Sequence, residues 1–100
     1  MTTAIMNLMT MISSFISEVS VTPIRPKDTL VAFCSFVYRN EFFLGDVALH
    51  LDPSGGYSLR YPAKVLFNGS KCQVHYPLSA EIAEVIKSAI IKKYEELIRK

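Results

Sequence analysis

The sequence predicts an α+β fold: an antiparallel sheet of four to five strands with a C-terminal helix packed on it. Three observations predict it. Between Val19 and Tyr76, short runs rich in Val, Phe, Tyr and Ile follow one another, each ended by a turn signal. Asp52-Pro53-Ser54-Gly55-Gly56 and Asn68-Gly69 are the strongest of those signals. After Pro77 the apolar spacing changes from that of a strand to that of a single long amphipathic helix.

Glu18 to Ile24 alternates Val19, Val21 and Ile24 as a half-buried strand does, and Pro23 favours an edge position. Arg25-Pro26-Lys27-Asp28 reads as a turn. Leu30 to Tyr38 is apolar on both faces, so it is expected to be a central strand covered on two sides. Phe42 to Leu51 resumes the pattern after a polar break at Arg39-Asn40-Glu41, with a bulge or bend expected at Gly45-Asp46. Tyr57 to Phe67 is a further strand, broken or shifted at Pro62. Asn68-Gly69 is expected to turn it back through Lys71 to Tyr76 with positive φ at both turn residues.

Ser79 is placed as the N-cap of the helix, with Glu81 and Glu84 at the positive end of its dipole. Ile82, Val85, Ile86, Ala89, Ile90, Tyr94 and Leu97 form its apolar face, and Glu84, Ser88, Lys92, Glu95 and Arg99 lie opposite. Lys93 falls inside the apolar stripe as a snorkelling stem, and Ile91 points toward the polar side. One helix is too little to cover both faces of so apolar a sheet. Dimerisation is the economical way to bury the rest.

One hundred residues, half of them hydrophobic, suffice for a single core, and a charged fraction of 20% argues against disorder. Residues 18–100 are read as one domain. Residues 1–17 are read as a leader, flexible or the product of a misassigned start codon, since Met6, Met9 and Met11 follow Met1 closely. The first sixteen residues carry no charge, so the basic region of a secretory signal is missing, and the stretch is too short and polar to span a membrane. Cys34 and Cys72 have no metal-ligand spacing, and Cys34 lies in an apolar run as a reduced core residue; a reducing compartment fits best.

A net charge of +2 is mild, so any nucleic-acid role must come from charge placement. The placement is suggestive between Asp52 and Pro77. Arg60, Lys64 and Lys71 fall there, and no acid follows Asp52 until Glu81. Lys87 and Lys92 add positive charge on the helix, and Tyr57, Tyr61 and Tyr76 offer aromatic faces on which an unpaired base can stack.

The motifs spread along this chain resemble the stage V sporulation protein G (SpoVG) family of septation regulators. They are Val19-Ser20-Val21, the Leu30-to-Phe36 run, Asn40-Glu41-Phe42, and Asp46-Val47 followed by Leu49. Gly56-Tyr57, Tyr61-Pro62-Ala63-Lys64, and a helix opened by Pro77 and ending with Tyr94 and Leu97 complete the set. The resemblance implies a cytoplasmic homodimer that binds DNA or RNA, influences gene expression and cell division, and is not an enzyme. In relatives the segment matching Tyr61-Pro62-Ala63-Lys64-Val65 usually reads Met-Pro-Ser-Lys-Arg, and its basic pair is linked to nucleic-acid contact. Here Lys64 is kept and Val65 replaces the Arg. Helix positions often basic in relatives are Ala83 and Val85 here, and the usual His-Pro before the helix becomes Tyr76-Pro77.

The expected nucleic-acid-binding residues are therefore Lys64, Arg60, Lys71, Lys87 and Lys92, with binding that is weak and salt-sensitive because several phosphate contacts are missing. No catalytic residue, metal site or cofactor is expected, because no nucleophile elbow, phosphate-cradling loop or ligand spacing is present. The alternative is a protein-interaction module that engages a division or regulatory partner with little or no nucleic-acid binding.

Overall fold

The computed structural model describes residues 14–99. Among these residues six strands precede one helix: β1 (Ile16–Lys27), β2 (Leu30–Tyr38), β3 (Phe42–Leu51), β4 (Tyr57–Arg60), β5 (Ala63–Val65), β6 (Lys71–Gln73) and α1 (Ala80–Ile98). Strands β1 to β4 form one antiparallel sheet in sequential order, and β5 and β6 pair with each other as a separate two-stranded ribbon. The α+β arrangement of sheet and C-terminal helix is the one expected. β1 begins inside the stretch read as a leader, and residues 1–13 of that stretch lie outside the described residues.

Strand β1 runs through Arg25-Pro26-Lys27, which the sequence assigned to a turn. It lies on the sheet edge, where a proline's missing N–H can face away from the ladder. The reversal falls on Asp28-Thr29, between the paired Lys27 and Leu30, with Asp28 at φ +55°. The bulge expected at Gly45-Asp46 is present: three steps of β3 from Leu44 to Val47 oppose two steps of β2 from Phe36 to Cys34. Asp46 takes φ +58° there, a conformation its short polar side chain tolerates.

α1 packs on the face of the sheet that carries Val21, Ala32, Cys34, Phe36, Val47 and Leu49. Val85, Ile86, Ile90 and Tyr94 are its buried residues. The Ser79 hydroxyl accepts the Ile82 N–H at 3.2 Å, satisfying one of the first-turn donors that have no helical partner. Ile91 is half-buried and packed against the core, whereas Lys93 is exposed, so the sequence placed both on the wrong side. The contact line winds around the helix, from Ile82 and Val85 near its start to Ile90, Ile91 and Tyr94 further on. A twisted sheet beneath a straight helix produces that drift.

β2 is an inner strand, as expected, but among the described residues the helix covers only one of its faces. The register places Thr22, Phe33, Ala48 and Arg60 in one cross-strand row on the opposite face, where Phe33 remains 45% exposed. The expected two-sided cover is therefore not supplied by the described residues. A single helix has one apolar face and shields one side of the sheet.

Ile90 is fully buried at the centre of this contact. Ile90→Ala is expected to lower unfolding free energy by about 2–5 kcal/mol in a urea titration. Lys93→Ala, on the same helix but exposed, is expected to stay within about 0.5 kcal/mol of the parent.

Candidate nucleic-acid interface

Pro62 decides how the basic segment is presented. It cannot donate to a ladder, and the chain leaves the main sheet at Arg60 and resumes as β5 at Ala63, in a different sheet. The Val74 N–H returns to the Pro62 carbonyl at 2.8 Å and closes the base of the ribbon. At its tip, Gly69 N–H donates to Leu66 O at 2.9 Å and Leu66 N–H to Ser70 O at 2.7 Å. Gly69 has φ +86°, but Asn68 is not among the positive-φ residues, so the turn is not the expected one with two left-handed positions. Asn68 acts instead through its side chain, whose Oδ1 accepts from the Ser70 N–H and hydroxyl.

The ribbon register sets the direction of the lysines. Lys64 pairs with Cys72, and Val65 pairs with Lys71. Successive strand residues alternate faces, so Lys64 and Lys71 project from opposite sides of the ribbon. Arg60, paired with Ala48, lies on the sheet face away from α1. Lys87 is half-buried and Lys92 exposed on the helix, on the other side of the sheet. One protomer thus gathers Arg60 and the ribbon lysines at one end and leaves Lys87 and Lys92 apart from them. Among the described residues none of the five makes an ion pair; Arg39 and Glu41 form the one such contact, at 3.9 Å.

The aromatic candidates separate in the same way. Tyr61 and Tyr76 line a cavity of about 450 Å³ between the sheet end, the ribbon base and the first turn of α1, together with Phe15, Tyr38, His75 and Leu78. Tyr57 lies elsewhere: its hydroxyl donates to Glu95 Oε2 at 3.3 Å, and its ring meets Tyr94 edge-on at 6.1 Å. His75 Nε2 donates to the Gly45 carbonyl at 2.9 Å and its ring stands edge-on to Tyr61, which ties the end of the ribbon to the bulge in β3. Sequence reasoning missed Arg39, whose guanidinium sits 5.2 Å from the centre of the Phe15 ring at the cavity margin. No sequence signal marks it, because Phe15 meets β2 only in the folded chain.

Burial sets the local proton affinities. It pushes the Cys34 thiol from an ordinary 9.0 to about 11. It also pushes Tyr61 from 10.0 to about 12, and the Tyr61 hydroxyl is buried without a hydrogen-bond partner among the described residues. His50, held by Thr29 Oγ1 at 2.8 Å, has its pKa lowered by burial and then by the Arg60 charge, its diagonal neighbour on the open face. Asp52 accepts from the Ser54 hydroxyl and from the Ser54 and Gly56 N–H groups, which lower its pKa and organise the loop before β4. No three His, Cys, Asp or Glu side chains gather among the described residues, and no helix there is long and apolar enough to cross a membrane.

The family model of SpoVG matches residues 15–96, all six strands and most of α1. The chain belongs to the SpoVG family. A relative from Treponema denticola that carries the name septation protein SpoVG is 27% identical over 81 residues, 81% of this chain and 86% of that protein. Another of the same name, from Acetivibrio thermocellus, is 26% identical over 82 residues, 82% of this chain and 86% of the relative. Within this SpoVG domain the ribbon residue Val65 is 65% exposed.

Tyr61→Phe removes a buried hydroxyl that has no partner, and its expected effect is an unchanged or higher melting temperature, up to about 1 kcal/mol more stable. Alkaline pH gives a second readout. Cys34 and Tyr61 bind their protons more tightly folded than unfolded, so their contribution is complete below pH 9.0 and is lost as pH rises toward about 11 and 12. Denaturant midpoints measured upward from neutral pH should therefore fall through that window, and Cys34→Ala with Tyr61→Phe should flatten the fall.

Proposed function

We propose that this SpoVG-family chain is a nucleic-acid-binding regulator of the septation and sporulation type, acting in the cytoplasm as a homodimer by binding and not by catalysis, and without a cofactor. The observation that carries the reading is the exposed β5–β6 ribbon of a SpoVG domain: it bears Lys64 and Lys71, stands beside Arg60, and lies in a stretch with no acid between Asp52 and Glu81. The two relatives named as septation proteins support the pathway.

The physics is that of backbone recognition. Each lysine or arginine that neutralises a phosphate releases counterions, so affinity falls with salt by about 0.9 in log–log slope per contact on duplex DNA and about 0.7 on single strands. Arg60, Lys64 and Lys71 supply few contacts in one protomer, and two copies double them. Lys87 and Lys92 add separate positive charge on the helix, on the other side of the sheet. Tyr61 and Tyr76 give a flipped-out base an aromatic surface beside the ribbon, as RNA-binding domains use such rings.

Fluorescence anisotropy with labelled duplex DNA and single-stranded RNA, from about 50 to about 200 mM salt, tests this directly. The expected result is binding that weakens steeply across that range. Arg60→Ala with Lys64→Ala is expected to reduce the slope by about 2 per protomer without changing the far-ultraviolet spectrum. Absence of binding at the lowest salt to either probe would sink the reading. A second reading, a protein-interaction module, draws on the large apolar side chains left exposed, Phe43 at 72% among them. Full cellular function in the Arg60→Ala, Lys64→Ala chain would favour it.

A further inference from the structure

We infer that the β5–β6 ribbon is a docking arm, and that it seats in the groove on the open sheet face of a second copy of this chain, each copy giving one arm and receiving one. The inference rests on the homodimer reading above and assigns its surface.

Two unsatisfied surfaces on the same chain motivate it. The arm carries Val65, Leu66 and Phe67, and Val74 follows at its base; all four are exposed, and Phe67 at the turn is completely so. Turns are ordinarily polar, and an aromatic side chain held beside an Asn-Gly corner with nothing to pack on is out of place in a monomer. The open sheet face holds the complement. A groove of about 490 Å³ runs across it, bordered by Thr22, Ser20, Phe33, Phe43 and Asp46 and walled by Val74. The apolar areas alone do not choose a partner. Charge and symmetry do.

The arm from Ala63 to Gln73 contains two lysines and no acid, and Asp46 is the one charged residue that borders the groove among the described residues. Asp46 is exposed and makes no ion pair there, and the bulge holds it at φ +58° on the rim. A second copy therefore brings to this groove an apolar tip with a cation beside it, matched to the rings of Phe33 and Phe43 set among Ser20, Thr22 and Ser35, with a carboxylate beside them. Because arm and groove belong to one chain, a reciprocal exchange about a two-fold axis uses both surfaces at once and closes.

The exchange also completes the basic site. Lys64 and Lys71 point to opposite sides of the ribbon, so an arm that turns one lysine toward Asp46 turns the other to solvent. Thr22, Phe33, Ala48 and Arg60 form one row across the receiving face. An arm lying over Phe33 thus delivers its outward lysine beside the Arg60 of the other copy. The phosphate-binding surface is shared between protomers and is incomplete in either alone.

Phe67→Asp is the decisive change, because a residue with no burial in the monomer cannot weaken the monomer's own packing. Sedimentation equilibrium of the full chain is expected to give a dimer for the parent and a dimer dissociation constant raised roughly tenfold or more for Phe67→Asp, with the far-ultraviolet spectrum unchanged. Asp46→Asn, which the left-handed backbone tolerates, is expected to weaken the dimer less and to reduce the salt dependence of dimerisation. The salt slope for single-stranded RNA is expected to fall to about half in the uncharged Phe67→Ser, which removes no cation and adds no acid. A parent that is monomeric overturns the arm and the homodimer together. A dimer whose dissociation constant is unmoved by Phe67→Asp overturns the arm and leaves homodimer and nucleic-acid binding standing. Loss of the dimer in a chain that never bound RNA sustains the arm and ends the nucleic-acid reading.

Discussion

The packing of α1 on one face of the β1–β4 sheet is the contact on which everything else depends. Ile86, Ile90 and Tyr94 meet Ala32, Cys34, Phe36, Val47 and Leu49 in one continuous buried cluster, and each of the large aliphatic side chains and Phe36 contributes on the order of 1.5–3 kcal/mol when removed from water. The same contact sets what remains undone. Among the described residues one helix packs on a sheet with two faces, and Phe33 and Phe43 stay exposed on the far side. A protein with this core is mechanically sound and chemically unfinished at its surface.

Pro62 turns that surplus into a device. Continued in register, β4 would have run on along β3 and its lysines would have lain flat on the sheet margin. The break at Tyr61-Pro62 releases the next eleven residues, Ala63 to Gln73, as a free-standing ribbon. His75 and Val74 then pin its base, through the Gly45 carbonyl and the Pro62 carbonyl. Charge and apolar surface are carried out together on one element, Lys64 and Lys71 beside Val65, Leu66 and Phe67.

Much of this was legible in the residues. Alternation in Val19 to Val21, the apolar density of Leu30 to Tyr38, the Gly45-Asp46 interruption and the Ser79 cap are local signals with local causes, and each lies where the structure has it. The displaced turn at Asp28-Thr29 and the exchanged roles of Ile91 and Lys93 were not legible. The first depends on β1 being an edge strand that tolerates Pro26, and the second on the twist of the sheet under the helix. Of the candidate site, the residue types Arg60, Lys64 and Lys71 were readable; their directions were not, because a shift of one residue in the ribbon register would reverse them.

The sequence by itself determined the element types and order, the α+β class and the concentration of positive charge between Asp52 and Pro77. These follow from periodicity, turn chemistry and composition, which act over a few residues. Only the tertiary structure decided that Lys64 and Lys71 face apart, that Tyr61 and Tyr76 share a cavity while Tyr57 does not, and that one face of the sheet is left open. Those outcomes depend on strand register and on which surface a single helix covers, and both are settled by contacts between residues far apart in the chain.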